Sequence, residues 1–234
     1  MSFDGEGGRV APPSRSLRRT VRRRAHIEQL DGYEHGPDAT QRATKTALAL
    51  VDDARSVVLV EGISDQIAVE TLAMRMGRKL GEERVVVIPI GGAHAAKHFV
   101  PCFAGRADLK LSGLVDRAEA VYFARALAEA GVMDPASETI EGQGFFVCDA
   151  DLEDELIRSV DEPEMEQLLA SEGDLSAFRS LQNQPGWRDK PFHAQMHRWL
   201  RSVALRGSRY AQLVVVTADS ERLPPPLLDL VHRI

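Results

Sequence analysis

The chain has 234 residues, a net charge of −6 and 44% hydrophobic residues, ordinary for a globular protein and enough for one substantial core. No apolar run could span a bilayer and no signal-peptide pattern opens the chain, so a cytoplasmic setting is expected; Cys102 and Cys148 are the only cysteines, which argues against a disulfide framework or a structural zinc. The charge is uneven: residues 1–24 hold seven arginines against Asp4 and Glu6, a balance of +5 that leaves −11 for the rest.

Residues 1–37 are rich in Gly, Pro, Arg and Ser and are expected to be a disordered arm, either simply solvated or an electrostatic contact for nucleic acid. "DATQRATKTALALVDDA" reads as a helix, and "SVVLVEG" as a buried strand. "SDQIAVETLAMRMGRKLG" follows as a helix, with Ser64 as candidate N-cap. "RVVVIPI" is a second strand, broken from the helix "AHAAKHFVPCF" by Gly91 and Gly92. "LKLSGLVD" and "GFFVCD" are the third and fourth strands, each leading into a helix. Four strand–helix alternations without hairpin turns predict an α/β fold: a small parallel sheet of about four strands flanked by helices. The expected domain spans 38–160, and a C-terminal helical region, 161–234, completes it.

In an open parallel sheet, ligands bind beyond the carboxyl ends of the strands. Strand one ends at Glu61, strand three at Asp116, and strand four runs into Asp149, Asp151 and Glu153. Asp65 lies one helical turn beyond Glu61. Any one of Asp65, Asp116 and Asp151 can be read as a helix cap, but capping does not account for Glu61. Like charges gathered at a partly buried edge call for a counter-charge, and hard divalent cations with oxygen ligands are the usual one. His94 and His98, four residues apart, lack a clear third ligand and are better read as packing or solvent-facing.

The segments "LVEGISDQIAVETLA", "VIPIGG" and "LSGLVDRAE", in this order and spacing, resemble a Toprim domain of the OLD (overcoming lysogenization defect) nuclease type, from about Val57 to Glu155. The resemblance implies that Glu61 is a metal ligand or acid/base group, that Asp65 is the additional acid of the OLD variety, and that "DADLEDEL" supplies its Asp-x-Glu motif as Asp151 and Glu153. The usual Asp-x-Asp after strand three is here Asp116-Arg117-Ala118, with Glu119 as partial compensation. OLD-type nucleases carry a catalytic lysine before a proline-led final helix. This chain offers Arg206 or Arg209, which can stabilise phosphate charge but not readily shed a proton.

These residues lead to an expectation of two Mg²⁺ (or Mn²⁺) ions. Glu61, Asp116 and Glu119 would hold one, and Asp65, Asp151 and Glu153 the other, with Gly91 and Gly92 admitting a phosphate close to the backbone. The implied activity is phosphodiester hydrolysis of DNA or RNA. The alternatives are a degenerate, non-catalytic Toprim module and phosphoryl transfer to a small molecule. No GxxxxGK[ST] segment is present, so the expectation is a free-standing Toprim protein, acting with a separately encoded ABC- or SMC-type ATPase or without one, and a homodimer is a further expected assembly. Tyr33, Tyr122 and Tyr210 are not placed as a topoisomerase tyrosine would be, and no zinc ribbon supports a primase.

Overall fold

The computed structural model describes residues 33–34, 36, 38–133 and 139–234; the arginine-rich arm expected over 1–37 otherwise lies outside the described residues. Residues 34–234 form one compact unit. The elements of the sheet region run α1 (Ala39–Leu48), β1 (Ser56–Val60), α2 (Ile63–Arg75), β2 (Val85–Pro89), α3 (Ala96–Phe103), β3 (Lys110–Asp116), α4 (Ala120–Glu129), β4 (Phe145–Cys148) and α5 (Leu152–Arg158). Five more helices follow: α6 (Glu162–Glu172), α7 (Leu175–Gln182), α8 (Phe192–Leu200), α9 (Ala204–Thr217) and α10 (Pro225–Arg233).

All four strands are parallel, in the order β2-β1-β3-β4, as the uninterrupted apolar runs require when both faces are covered. Every residue of β1 and β2 is buried. Alternate side chains go to opposite faces. Val58 and Val60 pack into a core shared with α2, α5 and the C-terminal helices, whereas Val57 and Leu59 face α1, α3 and α4. Each such buried aliphatic side chain contributes about 1.5–3 kcal/mol of transfer free energy. The register sets Val60 opposite Pro89 and Asp116 opposite Cys148, so the strands finish along one edge.

The centre of β3 leaves no room for a side chain unless its neighbours shift. A Cβ on Gly113 would stand 2.6 Å from the Phe145 ring and 2.8 Å from the Leu59 carbonyl oxygen. The missing side chain is what lets the Phe145 ring, fully buried and 5.6 Å from that of Phe123, fill the α4 side of the sheet.

Some boundaries differ from the sequence reading. Helix α1 stops at Leu48, and a short 3₁₀ turn, Val51–Asp53, takes the remaining length. Helix α2 ends at Arg75, and Gly77 (φ 79°) turns the chain away. Ser64 does not cap α2. Gly62 stands at that position with extended backbone, and the Ser64 hydroxyl is used elsewhere. In the C-terminal region, Asp161 and Glu164 form a reciprocal capping box on α6. An edge-to-face chain of Phe192, Phe178, Trp199 and Tyr210 then ties α7, α8 and α9 together. Among the described residues, no helix is long and apolar enough to cross a membrane.

Candidate metal centre at the carboxyl edge of the sheet

Glu61 is the first residue beyond β1, and two turns fasten its backbone. Its carbonyl accepts the N–H groups of Gly91 (2.9 Å) and Gly92 (3.2 Å), so the chain leaving β2 is pinned to the chain leaving β1. Both glycines have positive φ, 82° and 103°, which is why this turn calls for them. Their amides are thus already committed. What they leave to an approaching phosphate is the open space where a side chain would stand, with nothing within 4 Å of a Cβ on Gly92.

The side chain of Glu61 accepts the Asp116 backbone N–H at 3.3 Å, which joins the ends of β1 and β3. Its carboxyl also shares a hydrogen bond with that of Glu119. Glu119 in turn accepts the Ala93 N–H at 3.3 Å. Asp65, in the first turn of α2, accepts the Gly62 N–H at 2.8 Å. Glu153, in the first turn of α5, takes the Ser64 hydroxyl at 3.2 Å and lies against Gly207 of α9, 3.5 Å from where a Cβ would stand. Asp65 and Asp151 each hold a local amide as a cap would, yet the field of each reaches Asp116 or Glu153 across the edge.

The electrostatics show how crowded this edge is. Burial raises the Glu61 carboxyl to a pKa of about 9, helped by the Glu119 hydrogen bond and by the charges of Asp116, Glu119 and Asp65. Asp116 is raised to about 7, first by burial and then by Asp151, Glu153 and Glu119, with Arg201 pulling the other way. Asp65 is pushed well above the usual carboxylate range by burial and by Glu153, against the Gly62 amide, which lowers it. Three carboxyls near the ends of β1 and β3 therefore resist ionisation, first because burial strips their hydration and then because their neighbours are also acids.

Asp151 sits differently. It caps α5 through the Asp154 N–H (2.7 Å), and its other oxygen meets His197 Nε2 at 2.7 Å and Arg201 at 2.9 Å. His197 and Arg201 are four residues apart at the end of α8, on one face. The "HRWLR" spacing carried that signal, but only tertiary packing brings it to Asp151. More than half of the Arg201 side chain (58%) remains exposed at the edge. The two arginines singled out from the sequence are engaged elsewhere. Arg206 lies over the Trp199 ring, 3.8 Å from its centroid, and donates to the Trp199 carbonyl and Ser202. Arg209 pairs with Glu172 and lies 3.7 Å from Asp174. His94 stacks against Tyr122, with ring centroids 4.2 Å apart.

Among the described residues, no three ligand-type side chains form a closed metal shell. The donors at the edge, Glu61, Asp65, Asp116, Glu119 and Glu153, are all carboxylate oxygens. Their mutual repulsion is what a hard divalent cation would relieve, so the donor set fits such an ion. An open cleft of about 540 Å³ lies to one side, between α1 and the end of β2, where Thr40, Thr44, Lys45, Ile90 and Phe99 line it and Gly91 links it to the acidic edge.

Residues 54–116 match the family described as overcoming lysogenization defect protein-like, TOPRIM domain. Among curated proteins, none matches the sequence. The fold is similar to the C-terminal region of the Xanthomonas campestris pv. campestris OLD protein, at TM-score 0.61 and 18% identity, over 79% of this chain and 94% of that one. It is also similar to the C-terminal region of the Burkholderia pseudomallei OLD protein, at TM-score 0.57 and 17% identity, over 77% and 96%. Toprim domains as a class bind divalent metal ions and act on nucleic acid. With four parallel strands, an acid closing β1 and another closing β3, the fold agrees with the OLD-like Toprim domain that residues 54–116 match.

Proposed function

We propose that this edge is the centre of a Mg²⁺- or Mn²⁺-dependent phosphodiester hydrolase acting on nucleic acid. One observation carries the reading: Glu61, Asp65 and Asp116 are gathered from separate segments into an environment that opposes their charge, with no cationic side chain among the described residues bonded to them. Such crowding costs folding free energy, and in a site for two divalent ions it becomes the source of affinity. Glu61 and Glu119 would hold one ion, Asp65 and Glu153 the other, and Asp116, which feels acids on both sides, would be shared. Bound divalent ions would supply charge neutralisation on the phosphate and a more acidic attacking water.

The chain's own groups do the positioning. Ser64 orients Glu153, and the Gly91–Gly92 turn fixes the Glu61 backbone. Arg201, braced on Asp151 and more than half exposed, is placed to steady charge developing on a phosphate oxygen. Asp151 then serves to orient Arg201 and His197 and is not itself a primary ligand. Arg206 and Arg209 support the helical layer. The resemblance to OLD proteins also makes a separately encoded ATPase a candidate partner.

Purified protein with Mg²⁺ or Mn²⁺ should nick supercoiled plasmid, and Glu61→Gln should remove the activity. Equal nicking by both proteins would refute the assignment. Ala118 in place of a second aspartate, and the absence of a closed shell among the described residues, favour a second reading, a module that binds nucleic acid without cutting it. Calorimetric titration with Mg²⁺ separates the two: a degenerate edge gives no saturable heat that Asp116→Asn removes.

A further inference from the structure

Beside the acidic edge stands a pair of exposed rings that the hydrolytic site does not use. Tyr122 is 38% exposed and its neighbour Val121 65%, unusual openness for two large apolar side chains in the first turn of α4. His94, also exposed, stacks on Tyr122 with an interplanar angle of 56°, a tilt that holds the rings together without covering either face completely. Both rings are tied to the edge through the backbone. Tyr122 lies three residues after Glu119 on the same helical segment, and His94 follows Ala93, whose N–H donates to Glu119. Lys97, one turn beyond His94, is exposed.

An aromatic face and an exposed ammonium next to a phosphodiester site form a combination with a known physical use. An unstacked base lies on the ring, the backbone phosphate meets the cation, and every base suffices because every base has a π-face. A base inside a duplex is stacked on both sides and cannot reach such a ring. We infer that the His94–Tyr122 pair is a stacking platform for an unpaired nucleobase, and that the preferred nucleic acid is single-stranded or locally opened next to the scissile phosphate. This deepens the hydrolase reading by naming the form of its substrate.

The test is binding without divalent ions, so that nothing is cut. The probes are a short single-stranded DNA oligonucleotide carrying one 2-aminopurine, the RNA of the same sequence, and the matching DNA duplex. The wild-type protein should quench the 2-aminopurine fluorescence of the single strands and bind them more tightly than the duplex. Tyr122→Ala should weaken single-strand binding roughly five- to a hundredfold, the size of one lost base–aromatic stack. Tyr122→Phe, which keeps the ring, should stay within about twofold by the same logic, and duplex affinity should be unchanged in both. His94→Ala gives an independent, smaller loss in the same direction. Single-strand affinity unaltered in Tyr122→Ala, or an equal loss on duplex and single strand, overturns the platform. The two readings fail separately: quenching without plasmid nicking leaves the platform standing and removes the hydrolase, and nicking with Tyr122→Ala unaffected in binding does the reverse.

Discussion

The acids at this edge fall into two halves with opposite electrostatic histories. Around Glu61, Asp65 and Asp116, carboxyls sit among carboxyls, and all three are pushed upward. Elsewhere on the same edge, beyond β4, Asp151 has an amide, an imidazole and a guanidinium within 2.9 Å. Among the described residues no cationic side chain is bonded to the first half, and on the proposed reading a metal ion takes that place; the second half is already paired within the fold. A cluster of acids is therefore not one thing. What distinguishes ligands from struts is which of them the fold has left without a counter-charge.

The largest expected effect sharpens this contrast in two directions at once. Glu61→Gln keeps an oxygen for the Asp116 amide but removes the group that can ionise to hold a metal ion. Nicking should fall by at least a hundredfold, on the order of other losses of a group that stabilises transition-state charge. Thermal stability of the ion-free protein at pH 8 should rise, because folding no longer has to hold a proton on Glu61 that the unfolded chain has released. A strut such as Asp151 should behave the other way. Asp151→Asn keeps a capping oxygen but loses the charged contacts to His197 and Arg201, so the melting temperature falls while Mg²⁺ affinity is largely kept. If Asp151→Asn abolishes Mg²⁺ binding and leaves stability unchanged, the division into halves is wrong.

The pH dependence follows from the same division. Glu61, with an ordinary value of 4.5, is raised to about 9, and Asp116, ordinarily 3.8, to about 7. Between those limits the folded state holds more protons than the unfolded one. The stability these groups contribute is present at low pH and is lost as pH rises through 7 and then 9. Ion-free protein should therefore melt at progressively lower temperature from pH 6 to pH 9, and saturating Mg²⁺ should flatten that slope. Melting curves with chelator and with Mg²⁺ across this range provide the measurement. A more modest loss, about 1–3 kcal/mol, is expected from Gly113→Ala, since overpacking Phe145 strains the strand that delivers Asp116.

Much of this was legible in the sequence, and the reason lies in periodicity. "SVVLV" and "RVVVIPI" are apolar on both faces, which only a covered parallel strand needs, so the sheet and the edge carrying Glu61 and Asp116 followed directly. The strand-end acids were readable because parallel strands end on one side. The positive side of the site was not. Arg206 and Arg209 drew attention through the proline-led final helix, but nothing local in "LRGSRY" reports that one arginine lies over Trp199 and the other pairs with Glu172. Arg201 reaches Asp151 across 50 residues, a meeting decided by how α8 packs on α5. Ser64 was legible as a polar residue opening a helix. Its attachment to Glu153, 89 residues away, was not.

Arg201 offers the finest test of how the two halves communicate. It is bonded to Asp151, yet its charge reaches Asp116 and favours the ionised form there. The side chain is 58% exposed, so solvent screens that reach and the coupling is small. Arg201→Ala should leave Asp116 still harder to ionise. Mg²⁺ binding, which needs the carboxylate, should then require a higher pH, with the midpoint of its pH dependence moving up by roughly 0.2–0.7 units, the equivalent of a partly exposed charge pair. Arg201→Lys keeps the charge and should restore most of the midpoint. If it does so without restoring nicking, the guanidinium fork has a role on the phosphate that a point charge cannot fill. A midpoint that does not move in Arg201→Ala would mean the struts and the ligands are electrostatically independent, and that Arg201 belongs to the fold alone.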